Sequence, residues 1–337
     1  MKNIVFFDVD DIFKQFAATH PIDGLNFVLF EDSLNGILPK KIEAYRDAEI
    51  ISLFVHSETV DTSRLDLFPN LKVIATRSTG FNHIDLDYCK NRGIVVLNVP
   101  RYGEATVAEF AFGMLLALSR KIIQGRNAMA HNHIEIEKYM GFDLLGKTLG
   151  VIGTGSIGRH MIKIAQGFGM KILAYDPYRN PELKDFYVSD LKEIYQNADI
   201  ISLHVPSTPQ NFHLINKESF DMMKRGVIIV NTARGDLIDT QALYWALRQG
   251  IVGGAGLDVL ENEDFLLHDE VDTSNRVNDT DFLLDSAMNL KLLQFKNVIA
   301  TPHIAFNSID AINRINQTTF DNIKSYLDGV IVNNVVK

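Results

Sequence analysis

The stretch GVIGTGSIGRHMIKIAQGFGMKILAYD, residues 150–176, decides the fold predicted for this chain. A short apolar run comes first, and Gly153, Gly155 and Gly158 follow it in the spacing G-x-G-x-x-G. Apolar residues then recur at helical spacing from Ile157 onward, and a second apolar run ends in Asp176. The pattern predicts a strand, a tight turn, a helix and a second strand.

Each part of this stretch suits a bound dinucleotide. Gly153 allows the tight turn, Gly155 leaves room for a pyrophosphate beside the backbone, and Gly158 lets the helix pack closely on the sheet. The helix N-terminus offers free N–H groups to the phosphates. Asp176 can accept hydrogen bonds from an adenosine ribose and would repel a 2′-phosphate, which predicts NAD. The nearby Arg179 leaves the strictness against NADP open.

Short continuous apolar runs alternate with helix-like segments along the chain, which is typical of strands buried on both faces of parallel sheets. The first series covers 3–7, 26–30, 50–55, 71–77 and 94–99. The second series covers 148–153, 171–176, 199–205, 226–232, 254–260 and 297–301. Two such series predict an α/β protein with two doubly wound parallel-sheet domains.

Two further helices are predicted outside these series. Residues 103–132 form one long helix candidate whose first three turns are apolar almost all round, which favours a partly intersubunit position and a homodimer. Residues 308–329 have apolar residues at helical spacing and end at Gly329. We expect this helix to pack on the first domain and to make that domain discontinuous in sequence.

Composition excludes several classes of protein. The net charge of −9 and the absence of a long Lys/Arg cluster argue against nucleic-acid binding. The single cysteine excludes a disulfide framework within the chain. Acidic residues near the N-terminus do not fit a signal peptide, and the longest apolar stretch, 110–118, is too short to cross a membrane. We therefore expect a cytoplasmic protein without a membrane partner.

A metal site is not predicted, although HNHIEIE at 131–137 invites one. On a strand, His131, His133, Glu135 and Glu137 would share one face, but solvated residues after a helix explain the pattern as well. The serine-hydrolase and P-loop motifs do not occur in the sequence.

The whole chain resembles the NAD-dependent D-2-hydroxyacid dehydrogenases, and it looks closest to their D-lactate dehydrogenase branch. The matching stretches are TRSTGFNHIDLDYCKNRGI (76–94), NVPRYGEATVAEFAFGMLLAL (98–118), GVIGTGSIG (150–158), SLHVPST (202–208), NTARGDLIDTQAL (231–243), GLDVLENE (256–263) and TPHIAF (301–306). The resemblance implies a flavodoxin-like substrate domain, 1–102 plus 304–337, and a Rossmann coenzyme domain, 103–303.

The resemblance also implies which residues act. Arg234 would bind the substrate carboxylate and carbonyl, His303 would donate and accept the proton, and Glu263 would stabilise the imidazolium form of His303. Glu263 is chosen over Glu261 because the family places its glutamate five residues beyond the aspartate that matches Asp258.

Further positions carry over to the cofactor and the substrate. The cofactor residues implied are Gly153, Gly155, Ser156, Ile157, Gly158, Asp176, Val205, Pro206, Asn211, Thr232, Ala233, Arg234 and Asp258. The substrate residues implied are Thr79, Gly80, Tyr102, Arg234, His303 and Phe306, with Phe54 and His56 as weaker candidates. Thr79 and Gly80 would act through backbone N–H groups. The chain departs from close relatives at Ser156, where they often have a larger polar residue, and at Asn307, where tyrosine is frequent.

Two kinds of function remain open at this stage. The first is reduction of a small-molecule 2-oxo acid to a D-2-hydroxy acid, with pyruvate favoured over branched or aromatic 2-oxo acids such as 2-oxoisocaproate. The second is an NAD-sensing dimeric corepressor, which the same family includes. The complete Arg–Glu–His set favours the enzyme.

Overall fold

The computed structural model describes residues 2–54, 60–132, 135–263 and 280–336. These residues form two compact units: Met1–Tyr102 with Ser308–Lys337, and Gly103–Asn307. The sequence analysis placed the return to the first domain at residue 304, whereas the first unit resumes at Ser308.

The first unit contains a five-stranded parallel sheet in the order β2-β1-β3-β4-β5, which is the flavodoxin-like order. Its strands are β1 (Lys2–Phe6), β2 (Leu25–Leu29), β3 (Ile50–Phe54), β4 (Val73–Arg77) and β5 (Val95–Leu97). Its helices are α1 (Asp11–Thr19), α2 (Pro39–Ile42), α3 (Thr62–Leu65) and α4 (Leu86–Asn91), and α12 (Ile309–Leu327) joins them from the C-terminal part of the chain.

Alternate residues of these strands enter two different apolar cores. Val5 and Ile51 belong to one core, and their neighbours Ile4 and Ile50 belong to the other. Both faces of the sheet are therefore covered, which explains why the strands are mainly continuous apolar runs rather than alternations of apolar and polar residues.

The C-terminal helix α12 completes one of these cores. Phe320 is 1% exposed and contacts the rings of Phe6, Phe16 and Phe27 at centroid distances of 5.9, 5.2 and 5.4 Å. Ser308 caps the helix by accepting a hydrogen bond from the N–H of Ala311. The helix thus packs on the first unit, as its apolar spacing predicted.

The second unit contains a six-stranded parallel sheet in the order β11-β10-β9-β8-β6-β7. Its strands are β6 (Thr148–Ile152), β7 (Lys171–Tyr175), β8 (Ile200–Leu203), β9 (Val227–Asn231), β10 (Val252–Leu257) and β11 (Val298–Ala300). Its helices are α5 (Glu104–Ser119), α6 (Ile122–Ala130), α7 (Ser156–Gly167), α8 (Leu191–Asn197), α9 (Lys217–Met222), α10 (Thr240–Arg248) and α11 (Thr280–Leu292).

A single bridge completes the Rossmann topology of this sheet. Tyr187 pairs in parallel with Ala174 at the outer side of β7, in the place of a further strand. With that bridge counted, the first half of the sheet has the strand order 3-2-1-4. The two faces again enter separate cores, because Val151 and Ile152 belong to different ones. The two parallel-sheet domains confirm the predicted fold class.

The single long helix predicted over 103–132 is wrong in one respect. Helix α5 ends at Ser119, Lys121 takes a left-handed conformation with φ 51°, and α6 begins at Ile122. The carbonyl of Ser119 accepts a hydrogen bond from the N–H of Phe142, which lies far along the chain. A continuous helix would need that carbonyl for its own ladder, so the crossing segment ends α5.

None of the helices in the described residues is both long and apolar enough to cross a bilayer.

Candidate active site

The glycine loop lies between β6 and α7 in the second unit, as the spacing predicted. Gly153 has φ 97°, which glycine adopts without strain. A Cβ on Gly158 would lie 2.0 Å from the carbonyl oxygen of Gly153, so only glycine lets α7 approach β6 so closely. A Cβ on Gly155 would meet nothing within 4 Å, which leaves open space beside the backbone. Ser156 and Ile157 form the first turn of α7, where N–H groups suit a pyrophosphate.

Asp176 follows β7 and is held by backbone and side-chain donors. Its Oδ2 accepts hydrogen bonds from the N–H and hydroxyl of Thr154 at 2.7 and 3.1 Å, and its Oδ1 accepts one from the N–H of Tyr178 at 2.8 Å. The guanidinium of Arg179 donates instead to the carbonyl of Val188 at 2.8 Å. A fixed carboxylate at this position fits an adenosine ribose.

Most of the remaining candidate cofactor residues follow β8 and β9, and Asp258 follows β10. The hydroxyl of Thr232 is buried and has no hydrogen-bond partner among the described residues, so a polar ligand group could satisfy it. Ala233 donates its N–H to the side chain of Asn231. The Nδ2 of Asn211 donates to the carbonyl of Pro206 at 3.0 Å, and Val205 packs partly against the core. With the glycine loop, these features fit an NAD-sized ligand.

His303 and Glu263 are in direct contact although 40 positions separate them in sequence. The Nδ1 of His303 lies 2.8 Å from the Oε1 of Glu263. The other oxygen of Glu263 accepts a hydrogen bond from the N–H of Leu260 at 2.8 Å, so the carboxylate also holds its own loop. An imidazole paired with a carboxylate in this way can hold and transfer a proton at its other nitrogen.

Asp258 fixes the strained segment that presents His303. The backbone of His303 has φ 52°, which costs a non-glycine residue about 1–2 kcal/mol. Asp258 is 0% exposed, and its carboxylate accepts hydrogen bonds from the hydroxyl of Thr301 and from the N–H groups of Ile304 and Ala305. Its carbonyl also accepts the N–H of His303. Burial raises the pKa of the Asp258 carboxyl, an effect that these donors and His303 oppose.

Arg234 lies next to the loop that bears Glu263. It follows β9, and its Nη1 donates to the carbonyl of Ala233 at 2.6 Å. A Cβ on the next residue, Gly235, would lie 2.1–2.4 Å from the peptide group that joins Leu260 to Glu261. The Arg234 and Glu263 loops thus touch through a glycine, and the Glu263 loop in turn contacts His303.

Glu261, the rejected neighbour of Glu263, pairs with a different histidine. Its Oε1 lies 2.8 Å from the Nε2 of His213, and Thr240 donates to its Oε2 at 3.2 Å. Burial raises the pKa of Glu261, which is 9% exposed. Its carbonyl also accepts the amide of Asn289. Glu261 anchors the loop, whereas Glu263 contacts His303.

In the first unit, Thr79 and Gly80 follow β4 and leave their backbone N–H groups without an acceptor among the described residues. The hydroxyl of Thr79 donates to the carbonyl of Val99 at 2.7 Å. Tyr102 is half-buried and its carbonyl accepts from Arg314, whereas Phe306, in the second unit, is buried at 6% exposure. The ring of Phe54 lies 5.3 Å from the guanidinium of Arg77, and His56 falls outside the described residues.

The described part of the chain has no group of three His, Cys, Asp or Glu side chains placed to hold a metal ion. His131 lies in a turn and Glu137 in a 3-10 helix, so neither of these two residues lies on the strand considered for the segment, and His133 lies outside the described residues.

The supporting roles of two residues were not predicted from the sequence. The anchoring of the His303 segment by Asp258 and the close contact of Gly235 were not recognised, although both residues stood in the quoted motifs. A buried aspartate directly after a strand, and a glycine directly after a candidate catalytic arginine, were the available signals.

Comparison with known proteins shows which family the chain is similar to. Residues 112–305 match the family model "D-isomer specific 2-hydroxyacid dehydrogenase, NAD binding domain". The D-lactate dehydrogenase of Escherichia coli K12 is 43% identical over 262 residues, which cover 77% of each chain. An aromatic 2-oxoacid reductase of Clostridium sporogenes is 36% identical over 323 residues, or 95% of this chain and 93% of that protein.

A solved structure extends the similarity over the whole chain. The D-lactate dehydrogenase of Aquifex aeolicus, complexed with NAD and lactic acid, covers 99% of both chains with a TM-score of 0.84 and 36% identity. Its similarity confirms the fold and the resemblance. The chain therefore belongs to the D-isomer specific 2-hydroxyacid dehydrogenases, a family of NAD-dependent oxidoreductases, and its second unit contains their NAD-binding domain.

Proposed function

We propose that this protein is a D-lactate dehydrogenase, which reduces pyruvate with NADH to D-lactate and catalyses the reverse reaction. The observation that carries the proposal is the His303–Glu263 pair at 2.8 Å, together with the contact between the Glu263 loop and Gly235, the neighbour of Arg234. The similarity to D-lactate dehydrogenases supports pyruvate as the substrate.

Reduction of a 2-oxo acid requires that the carboxylate is held, the ketone is polarised and a proton is delivered. NADH, when bound, supplies the hydride. We assign the first two tasks to Arg234, because a guanidinium is permanently charged and presents a planar fork of donors to carboxylate and carbonyl oxygens. The backbone N–H groups of Thr79 and Gly80, here named the carboxylate clamp, are assigned to the same carboxylate.

We assign the proton to His303. With its Nδ1–H donated to Glu263, the ring presents Nε2 to the substrate. In reduction, the protonated Nε2 donates to the developing alkoxide, and in oxidation the neutral Nε2 accepts the hydroxyl proton. The Glu263 carboxylate stabilises the imidazolium and fixes the ring orientation.

The two units divide these tasks in the proposal. The first unit is the substrate domain, with the carboxylate clamp and Tyr102, and the second unit binds NAD and contributes Arg234, Glu263 and His303. Phe306 is assigned to the substrate side chain. The cofactor residues are Gly153, Gly155, Ser156, Ile157, Gly158, Asp176, Val205, Pro206, Asn211, Thr232, Ala233, Arg234 and Asp258.

A panel of 2-oxo acids, with NADH oxidation followed by absorbance, tests the substrate. Pyruvate should give the highest kcat/KM. A far higher value for 2-oxoisocaproate or phenylpyruvate would favour the alternative, a branched or aromatic D-2-hydroxyacid dehydrogenase, which the 95% coverage by the aromatic 2-oxoacid reductase supports. The His303→Gln and Arg234→Gln variants should each lose activity by about 100-fold or more.

The corepressor alternative makes the opposite prediction. A protein that only senses NAD would bind NADH, as measured by its fluorescence, and would oxidise it very slowly with every 2-oxo acid. Rapid turnover that depends on His303 would exclude that function as the main one.

We also propose a cytoplasmic homodimer built through the 103–132 region. Exposed apolar side chains at Ile122, Ile123 and Met129, which are 56%, 40% and 67% exposed, favour burial against a second copy. The acidic composition and the single buried cysteine favour the cytoplasm.

A further inference from the structure

The carboxylate clamp lies in a loop in which three successive carbonyl groups, those of Ser78, Thr79 and Gly80, each accept a hydrogen bond from a different donor. The carbonyl of Ser78 accepts the N–H of Val99 at 2.8 Å, and the carbonyl of Thr79 accepts the side-chain amide of Asn98 at 2.8 Å. The carbonyl of Gly80 accepts the hydroxyl of Ser78 at 2.6 Å. The peptide N–H groups on the other side of the first two carbonyls are those of Thr79 and Gly80.

A hydrogen bond accepted by a peptide carbonyl makes the N–H of the same peptide a stronger donor, because hydrogen bonds in a chain polarise one another. The donors also fix the direction in which each N–H points. A preorganised pair of N–H groups binds a carboxylate without having to reorder when the substrate arrives.

The hydrogen bond that Ser78 donates is the last of a series of three hydrogen bonds, and the donor of each can be assigned. The only proton of the Ser78 hydroxyl goes to the Gly80 carbonyl, so Ser78 accepts from the hydroxyl of Thr76, 2.7 Å away. The Thr76 proton is then used, so the Nε2 of His83, 3.2 Å away, must donate to Thr76. Thr76 and Ser78 are both 0% exposed.

His83 is suited to this task because it remains neutral. Desolvation lowers the pKa of His83 to about 4, so near neutral pH its ring has a single proton, which the hydrogen-bond series places on Nε2. The backbone of His83 is itself fixed, since its carbonyl accepts the N–H of Val60 at 2.8 Å.

Asn98 is held by the segment that returns from the C-terminus. Its carbonyl accepts the amide of Asn322 on α12 at 2.8 Å, and its N–H donates to the carbonyl of Asn333 at 3.1 Å. The amide of Asn333 donates to the side chain of Asn322 at 2.7 Å, which closes the network. Asn98 and Asn322 are 9% and 2% exposed.

We propose that Asn98 and Ser78 are positioning residues of this enzyme, which touch no substrate. Asn98 holds and polarises the peptide group that carries the N–H of Gly80, and Ser78 fixes the conformation of the loop by holding the carbonyl of Gly80, so that the clamp is oriented for the 2-oxo acid carboxylate. Thr76 and His83 hold Ser78 in turn, because His83 donates to the hydroxyl of Thr76 and Thr76 donates to the hydroxyl of Ser78. The inference rests on the proposed function, since it assigns the carboxylate clamp to that substrate.

Steady-state kinetics of variants tests the inference. Ser78→Ala and Asn98→Asp should each raise KM for pyruvate about tenfold, the equivalent of one hydrogen bond, and leave kcat within about threefold. The binding of NADH, measured by fluorescence, should be unchanged because NADH binds to the other unit. The increase in KM should become smaller with distance from the clamp along the hydrogen-bond series, from Ser78→Ala through Thr76→Val to His83→Leu. His83→Gln should restore KM, because its side-chain amide can donate to Thr76 in place of Nε2.

Asn26→Asp is the matched control, because it makes the same chemical change at an exposed asparagine on the sheet of the same unit. It should leave KM unchanged. Thermal melting identifies variants that do not fold. If Ser78→Ala does not fold, the KM values of Asn98→Asp and of the two His83 variants test the positioning role.

Three outcomes would count against these assignments, in different ways. An unchanged KM in the folded Ser78 and Asn98 variants, or in Asn98→Asp and His83→Leu if Ser78→Ala does not fold, would overturn the positioning role. So would an equal loss of kcat and NADH binding, since that indicates general destabilisation. Failure of the unaltered protein to reduce any 2-oxo acid would overturn the proposed function itself, and the inference with it.

Discussion

At the scale of single residues, two glutamates of one short loop each pair with a different histidine from elsewhere in the chain. Glu263 contacts His303, and Glu261, two positions earlier, contacts His213. Both distances are 2.8 Å, so distance alone does not distinguish the pairs. Their surroundings do, because Glu261 is 9% exposed and also bonded to Thr240, whereas the side chain of Glu263 is 21% exposed.

We expect Glu263→Gln to lower kcat for pyruvate about 100-fold and to leave the binding of NADH unchanged. In the proposed mechanism the Glu263 carboxylate balances the positive charge of His303 while the ring holds the transferred proton. The amide oxygen can still accept the Nδ1–H of His303, so the ring stays oriented, but the negative charge is lost. Steady-state kinetics and a fluorescence titration with NADH check this.

Glu261→Gln is the matched control for this prediction, because it changes the other glutamate of the same loop. Its kcat should stay close to that of the unaltered protein even if its thermal stability is lower. A large loss of kcat in the Glu261 variant without one in the Glu263 variant would reverse the assignment of the two residues.

At this scale the sequence reveals side-chain types better than their partners. Arg234, Glu263 and His303 could be named from motifs, and their roles remain predictions. The hydrogen bonds that hold the His303 segment could not be named, because Asp258 and Ala305 lie 47 positions apart. The network around Asn98 in the first unit could not be named either, because Asn98 and Asn322 lie 224 positions apart. Such contacts depend on how the strands are ordered in the sheets, which no local pattern encodes.

At the scale of secondary structure, two glycines of one loop have different physical reasons to be glycine. Gly158 has no room for a Cβ because the carbonyl of Gly153 lies where the atom would be placed. A Cβ on Gly155 would meet nothing within 4 Å, and we propose that the pyrophosphate of NAD lies in this space. Substitution therefore separates the packing of α7 from the binding of the cofactor.

We expect Gly158→Ala to destabilise the free protein and Gly155→Ala to spare it. The first variant forces α7 away from β6, which typically costs about 1–3 kcal/mol. The second adds a methyl group to open space, so its melting temperature should match that of the unaltered protein while its affinity for NADH falls about tenfold or more. Calorimetry and a fluorescence titration with NADH distinguish the two. Equal melting temperatures for both variants would contradict the packing argument.

The strand pattern could be predicted well and the helix break could not. Each predicted apolar run overlaps an observed strand, because a strand covered on both faces is apolar at most of its positions. The residues around Lys121 are ordinary helix formers, so nothing local marks the break. The break results from Phe142, 23 positions further along the chain, because its N–H donates to the carbonyl of Ser119 that a continuous helix would use.

At the scale of the whole molecule, the second unit exposes several large apolar side chains within one stretch of sequence. Ile136 and Met140 are 76% and 75% exposed, and they follow α6, which itself has Ile123 and Met129 exposed. Exposed apolar side chains of this kind are often found at protein–protein interfaces. They are the basis of the homodimer that we propose.

We expect the double variant Ile123→Glu with Met129→Lys to be monomeric. New charges at the centre of an apolar interface must be desolvated without partners, which opposes association. Sedimentation velocity checks this at several protein concentrations. Leu38→Glu, a change at a 66% exposed leucine of the first unit, is the control and should leave the dimer intact. A monomeric unaltered protein would refute the homodimer.

We also expect the protein to lose stability in acid before its carboxylates are fully protonated. Desolvation lowers the pKa of His83 in the first unit and of His204 in the second, each to about 4. In the unfolded chain these histidines take up protons near pH ~6.5. The unfolded state therefore binds more protons as the pH falls from about 6.5 to about 4, and the free energy of unfolding decreases over that interval by on the order of a few kcal/mol.

Melting temperatures measured across this interval check the prediction. His204→Gln should reduce the dependence of the melting temperature on pH, whereas the same change at the exposed His131 should not. A pH dependence that is identical in all three proteins would show that the desolvated imidazoles do not control acid stability.

The return of α12 to the first unit has a consequence for synthesis on the ribosome. Phe320 fills a cluster of aromatic rings whose other members, among them Phe6, Phe13 and Phe27, leave the exit tunnel some three hundred residues earlier. Until α12 has been translated, the nascent first unit presents that apolar face to water. Chaperones that recognise exposed aromatic surface therefore have a defined interval in which to bind, which ends when α12 packs on the first unit.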